Sequence, residues 1–323
     1  MSDAPDPSVS LFQIDWNRHS AAQWQTMLDS CERPTLTQSP AYATAAAEFD
    51  GGGSGADYGL IRFQGKPIGM AIVTRRRTFG GAASCSLYRG PLWIYDEIPG
   101  EMLKLVLRQL RLRHRWWRGR PLTFHPELAD SPDNRRTLSD AGFRRVAEGY
   151  ATIWLDLSTP LEKLRTNLRP QWRNKLTQAE GQNVEVNSGA DDRQFEWLYD
   201  NHARHMAAHG YRGPSPALLR ALRDHAPRDQ EPLLLIAQHG GQPVAAILLT
   251  VHGKSATYLV GWSGDAGRRL RAHNLLLWRA VEPLKSAGVH WLDLGGINAD
   301  APGVARFKRG MGGELVVLVG GYV

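Results

Sequence analysis

Cysteine is almost missing from this chain. Its 323 residues include two, Cys31 and Cys85, too few for a disulfide framework and without the spacing of a metal site. Lysine is scarce as well. Seven of the 39 Lys and Arg residues are lysines, so the net charge of +7 rests on arginine, whose planar guanidinium suits bidentate contacts with phosphate and carboxylate. No run of eighteen apolar residues occurs, and residues 1–7 form neither a basic nor an apolar stretch. A spanning helix and a secretory leader are therefore not expected, and the location expected is cytoplasmic. A Walker loop, a nucleophile elbow and a zinc-protease motif are also lacking. What the arginine surplus implies is an acidic partner, whether nucleic acid, an anionic membrane surface touched peripherally, or an anionic substrate.

The length favours two domains, and the chain repeats itself. Residues 60–73 read as strand, tight turn and strand with Gly65-Lys66-Pro67 at the turn; residues 235–249 repeat the pattern with Gly241-Gln242-Pro243. Each copy continues with a strand (near 84–88 and 256–260), an amphipathic helix (Leu103 to Leu110; Leu275 to Leu284) and a short strand (121–125; 290–294). An offset of roughly 170 residues is too long for a solenoid and fits a duplicated α/β domain. The expected division is 1–150 and 151–323. Between the copies, 150–157 reads as a strand, 160–181 as one long basic helix, and 191–210 and 215–226 as two further helices.

The most informative stretch lies near the C-terminus. Gly295-Gly296-Ile297 is followed by Arg306-Phe307-Lys308-Arg309-Gly310, which reads as a glycine-bracketed basic loop between two core strands, 289–294 and 315–319. Glycine lets the backbone approach a ligand closely. The cation and the aromatic ring that remain suit phosphates and stacked bases; the competing reading is a solvated basic hairpin. Arg165, Arg169 and Arg173 stand at i, i+4 spacing, as one cationic face of the long helix or as a solvated surface. The arginines around Trp116-Trp117 fit RNA, a membrane surface or the exposed side of a helix whose tryptophans are core. His202, His205 and His209 share a helix face, but no carboxylate or cysteine completes a metal pattern, so no metal is expected. Tyr211-Arg212, flanked by glycines at a helix end, can grip an anionic group. His125, at the end of its strand, reads as an acid or base beside a cleft or as a structural histidine.

These pieces, in order, resemble the FemABX family of aminoacyl-tRNA-dependent peptidyltransferases. They comprise Gln38-Ser39-Pro40, Tyr88-Arg89-Gly90-Pro91, Phe124-His125-Pro126-Glu127, Leu138 with Ala141-Gly142-Phe143, Arg169, Arg173, Ala179 and Gly181, then Asp293-Leu294-Gly295-Gly296-Ile297 and Phe307-Lys308. The resemblance implies an α/β protein of two tandem acetyltransferase-like (GNAT) domains with mixed sheets, no coiled-coil insertion and the donor site in the second. It implies aminoacyl transfer from aminoacyl-tRNA, as co-substrate and without a cofactor, to an amine on a peptide or peptidoglycan-precursor acceptor. Lys308 and Phe307 would be catalytic, Arg306, Lys308 and Arg309 would contact the tRNA at a channel wide enough for a single-stranded CCA end, and Tyr211, Arg212 and His125 would line the acceptor site. Two departures point away from a UDP-linked muramyl peptide and admit a specialised-metabolite amine. Ala45-Ala46-Ala47 stands where that branch has a lysine, and His125 where it has an acidic residue. The stretch Gly264-Asp265-Ala266-Gly267-Arg268-Arg269 lacks the Arg/Gln-x-x-Gly-x-Gly/Ala spacing that holds a coenzyme A pyrophosphate. A double-GNAT N-acyltransferase using acyl-CoA or an acyl carrier protein is the alternative.

Overall fold

The structure is a computed structural model describing residues 11–49, 54–77, 83–95, 98–114, 121–189, 191–297 and 301–323. It forms two compact units, Met1–Tyr150 with Val317–Val323, and Ala151–Val316. In the first, the described elements are β1 (Phe12–Trp16), α1 (Ala21–Ser30), α2 (Pro40–Phe49), β2 (Gly55–Phe63), β3 (Lys66–Arg77), β4 (Ala83–Gly90), β5 (Leu92–Trp93), α3 (Gly100–Arg113), β6 (Leu122–Pro126), α4 (Pro132–Asp140) and β7 (Arg145–Ala147). The second holds β8 (Ala151–Asp156), α5 (Leu161–Asn167), α6 (Pro170–Glu180), β9 (Glu185–Ser188), α7 (Asp192–His209), α8 (Pro216–Asp224), β10 (Leu233–His239), β11 (Gln242–His252), β12 (Ser255–Ser263), α9 (Asp265–Arg269), α10 (Ala272–Ser286), β13 (Trp291–Asp293), α11 (Pro302–Arg309) and β14 (Glu314–Val317). The last strand, β15 (Gly321–Tyr322), returns to the first unit.

Each unit is a sheet between helices. In the first, Leu103, Val106, Leu107 and Leu110 of α3 cover one face of the sheet, and Trp24 and Leu28 of α1 with Ala43 of α2 cover the other. In the second, α6 and α10 pack on Ile247, Leu249 and Leu292, while α7 and α8 pack on Ile236, Leu248 and Val260. Full burial of each such leucine contributes about 2 kcal/mol. Helix starts follow local chemistry: Ser20 with Gln23 and Asp191 with Gln194 form capping boxes, and Ser131 and Ser215 cap helices that open on proline.

The duplication is legible strand by strand. The first sheet runs β1-β2-β3-β4-β6-β15-β7, with β5 also paired to β3; the second runs β9-β10-β11-β12-β13-β8-β14 from the matching edge. The hairpins β2–β3 and β10–β11 hold equivalent places, and their bulges, between Ile61 and Arg62 and between Ala237 and Gln238, sit at the same point before the Gly-x-Pro turn. Both sheets are mixed, since β4 pairs with β6 and β12 with β13 in parallel. In repeat terms β8 and β15 are counterparts, and they change places: β8 follows β7 in the chain but lies beside β13, whereas β15 follows β14 but lies between β6 and β7. The division at 151–323 is corrected on this point, because Tyr322 pairs with Phe124 and Arg145.

Two further expectations change. The long helix at 160–181 is α5 and α6, broken at Leu168-Arg169, because Pro170 keeps Arg169 out of the helical region (ψ 142). The three arginines therefore do not share a face. Arg165 instead makes two bonds to Glu180, of 2.8 and 2.6 Å. The basic loop before β14 is the helix α11, opened by Pro302 at its first turn and closed before Gly310, with its basic residues in the last turn, where they offset the helix dipole. Trp116-Trp117 with Arg115, Arg118 and Arg120, the glycines at 51–53 and residues 298–300 lie outside the described residues.

Candidate functional site

In the second unit two parallel strands part company. β12 and β13 pair at Ser255–Trp291, Ala256–Leu292 and Thr257–Asp293, after which the chain beyond β13 stays bonded to β8 (Leu294 N–H to Ile153 O, 2.9 Å; Ile297 N–H to Ala151 O, 2.8 Å). β12 runs on to Ser263 beside β11 alone. The result is a wedge that opens at Tyr258. A bulge widens it: Leu248 faces Val260 and Leu249 faces Tyr258, so Leu259 is an extra residue. In the first unit the equivalent strands β4 and β6 stay paired from Cys85–Leu122 to Gly90–Pro126. No such wedge forms between them.

Lys308 occupies the wedge. From α11 its Nζ donates to Gly296 O at 2.9 Å, on the β13 arm, and lies 5.7 Å from the ring centroid of Tyr258, on the β12 arm. The turn that brings Gly296 there needs glycine at 295, where φ is +73° and a Cβ would lie 3.2 Å from Tyr258 O and 3.3 Å from Lys308 Nζ. Burial pushes the Lys308 pKa down to about 8, and Asp293 pulls it partly back. At neutral pH it is an ammonium with three donors, and among the described residues Gly296 takes one.

The residues around Lys308 on α11 face elsewhere. Arg306 and Phe307 line a cleft of about 560 Å³ together with Arg169, Trp172 and Lys175. No carboxylate lines it, and among the described residues Arg169, Lys175 and Arg306 have no ion-pair partner. Two rings border the cleft: Phe307 is half-buried and Trp172 buried, their centroids 6.0 Å apart and tilted by 34°, and Trp172 Nε1 has no hydrogen-bond partner. Arg169, Lys175 and Arg306 together make the cleft receptive to an anionic, phosphate-bearing group.

Of the other residues read from the sequence, Tyr211 comes close enough to Tyr258 at the wedge to help raise its pKa, burial being the larger cause. Arg309 and Arg212 are exposed. Tyr211 is held by its hydroxyl, 3.1 Å from His205 Nδ1. His205 stacks on His209 at 4.0 Å, while His202 Nε2 lies 3.0 Å from Pro214 O; no group among the described residues has the makings of a metal site. His125, in the first unit, stacks on Tyr88 at 4.7 Å, and burial lowers its pKa. Tyr258, Trp172 and Thr152 were not singled out from the sequence. An aromatic or a threonine inside a strand or helix carries no signal until the parting of β12 and β13 shows which ones border the gap.

Residues 162–309 match the acetyltransferase (GNAT) domain model. No curated protein matches in sequence. Among solved structures, FemX aligns with a TM-score of 0.79 at 14% identity, covering 95% of this chain and 96% of its own. The C-terminal domain of a putative lysylphosphatidylglycerol synthetase from Agrobacterium fabrum aligns at 0.52 and 15% identity, covering 94% and 91%. A tandem GNAT protein from the clavulanic acid biosynthesis pathway aligns at 0.53 and 13% identity, covering 96% and 98%. The chain has the FemX-like double-GNAT fold, and in it the two copies exchange one strand.

Proposed function

We propose that the protein transfers an aminoacyl group from aminoacyl-tRNA to the amine of a peptide, cell-wall-precursor or specialised-metabolite acceptor. The observation that carries this reading is the helix α11, which sets an ammonium with uncommitted donors in the strand wedge and an acid-free, cation- and ring-lined cleft beside it. The donor ester is already activated, so alignment and charge stabilisation suffice. In the proposed step the acceptor nitrogen attacks the ester carbonyl, and Lys308 Nζ–H meets the oxygen that becomes negative. The carbon–oxygen bond to the ribose then breaks, and the proton lost by the amine ends on the ribose oxygen.

One observation favours tRNA over acyl-CoA as donor. The stretch after β12, Gly264-Asp265-Ala266-Gly267-Arg268-Arg269, lacks the Arg/Gln-x-x-Gly-x-Gly/Ala spacing that holds a coenzyme A pyrophosphate. Arg268 itself turns back onto Ser263 O at 2.7 Å.

Incubation of the purified protein with labelled charged tRNA or labelled acyl-CoA, alongside cell extract, tests the reading directly; transfer from acyl-CoA alone overturns it. Within it, Arg169→Ala, Lys175→Ala and Arg306→Ala should each weaken tRNA binding and reduce the slope of log K against log salt by about 1. Unchanged slopes in all three would remove tRNA from this cleft. On the acceptor side, Arg212→Ala is expected to raise the KM for an anionic acceptor about tenfold while leaving a neutral acceptor unaffected, the loss of one charge-assisted contact. Steady-state kinetics with a matched acceptor pair decides it.

A further inference from the structure

The apex of the wedge holds two fully buried polar side chains that the transfer step does not touch. Thr152, on β8, and Asp293, at the end of β13, are both 0% exposed. Asp293 Oδ1 accepts from the Gly295 N–H at 2.8 Å and from the Thr152 hydroxyl. That hydroxyl also lies 3.1 Å from Gly295 O. The Gly295 N–H is thus tied to Asp293, whose other donor is the single hydrogen of Thr152, and the next carbonyl, Gly296 O, is the one that Lys308 grips.

We propose that Asp293 and Thr152 are positioning residues, which clasp the Gly295-Gly296 turn so that its carbonyl holds the Lys308 ammonium in the wedge. The catalytic consequence rests on the transfer reading above; the clasp itself does not.

The chemistry favours this arrangement over a purely structural one. A buried carboxylate is costly unless its lone pairs are engaged, and here the donors that engage it belong to the turn and to the strand beside it. The carboxylate also stabilises the charged form of Lys308 against desolvation. The groups facing Lys308 from its neighbours are Tyr258 on β12 and Asp293 on β13. Arg306 and Arg309 stand on its own helix, and Arg169 and Lys175 belong to the α6 side. His273 of α10, beside Phe307 at 6.1 Å, is pushed down to about 4 by burial and stays neutral. Asp293 is the only anion in that set.

Asp293→Asn keeps an oxygen for Thr152 and Gly295 but removes the charge. The expected result is a Lys308 midpoint lowered by about one pH unit, with the high-pH limb of kcat moving by the same amount and the donor KM unchanged. With seven lysines in the chain, NMR of labelled lysine side chains follows Lys308 directly, assigned by the signal lost in Lys308→Met. A folded Asp293→Asn whose Lys308 midpoint stays put overturns the proposal. If the midpoint moves but no transfer from aminoacyl-tRNA is detected in the unmodified protein, the transfer reading fails and the clasp stands. Should Asp293→Asn not fold, Thr152 decides: Thr152→Val is expected to lower kcat about tenfold at constant KM, the loss of one buried hydrogen bond, with Thr152→Ser restoring it. A Thr152→Val protein as active as wild type would overturn the clasp.

Discussion

Lys308→Met should abolish transfer and yet make the protein more stable. Removing the cation that faces the developing oxyanion is expected to lower kcat by about a hundredfold to a thousandfold, with a smaller change in donor KM, because the ground-state carbonyl carries little charge. The stability effect has the opposite sign. Burial holds the Lys308 pKa at about 8 in the folded chain, below the 10.5 of a free lysine, so its charged form is disfavoured there and the cost is fully present below pH 8. Between about pH 8 and 10 the unfolded state binds more protons, so stability rises with pH in that window. A methionine of similar length escapes this cost, on the order of 3 kcal/mol at pH 7, but gives up the hydrogen bond to Gly296 O, so a net gain of about 1 kcal/mol is expected. Activity in the unmodified protein should fall as pH rises through about 8. Thermal melts at pH 7 and a pH profile of kcat check both halves, and a Lys308→Met protein with undiminished turnover ends the assignment.

The second large effect is expected far from Lys308 in sequence. Gln38, fully buried in the first unit, fills a gap in the sheet: on the edge away from β2, β3 pairs with β5 at Gly69 and Met70 and with β4 from Thr74 onward, leaving Ile72 with no strand partner on that edge. The Gln38 side chain supplies what a strand would. Its Oε1 accepts from the Ile72 N–H at 2.7 Å, and its Nε2 donates to Ile72 O at 3.1 Å and to Tyr88 O at 2.9 Å. Gln38→Ala strands the two Ile72 backbone groups, since Tyr88 O keeps the Thr37 hydroxyl at 2.8 Å, and at roughly 1–3 kcal/mol each a loss on the order of 4 kcal/mol is expected. Gln38→Glu should fare little better, since it sets an oxygen against two carbonyls. Urea unfolding measures the loss, and hydrogen exchange at Ile72 localises it. Stability within about 1 kcal/mol of wild type in both variants would show that water replaces the amide.

The duplicated hairpins, the helices α7 and α8 and the mixed α/β class were readable because period, cap and turn chemistry are local. Gly65 and Gly241 precede the same turn in both copies, and Gly210 ends α7 with φ at +63°. The resemblance singles out Gln38-Ser39 and Phe307-Lys308, and the structural settings of these residues differ from a surface reading. Gln38 is a strand substitute, and Lys308 is buried where a loop lysine was expected. Nothing local distinguishes Lys308 from Arg306 and Arg309; the difference arises from the face of an eight-residue helix and from where β13 leaves β12. The break at Arg169 was signalled by Pro170 and outweighed by the apparent periodicity around it. The exchange of β8 and β15 left no trace in the sequence, because pairing partners far apart in the chain are chosen by the sheet and not by the strand.

That exchange also sets an order of assembly during translation. The second unit is a continuous stretch, complete once Val316 has been made, whereas the first sheet has an open slot between β6 and β7 until Tyr322 emerges. At ribosomal speeds the interval between the first unit's last internal strand and β15 amounts to roughly ten to thirty seconds. Through that time two strand edges in the first-made unit are unpaired and open to pairing with another chain. The portion synthesised first is thus the last to be sealed, so a chaperone that shields nascent strands is expected to bind arrested chains ending before residue 317 and to release full-length ones.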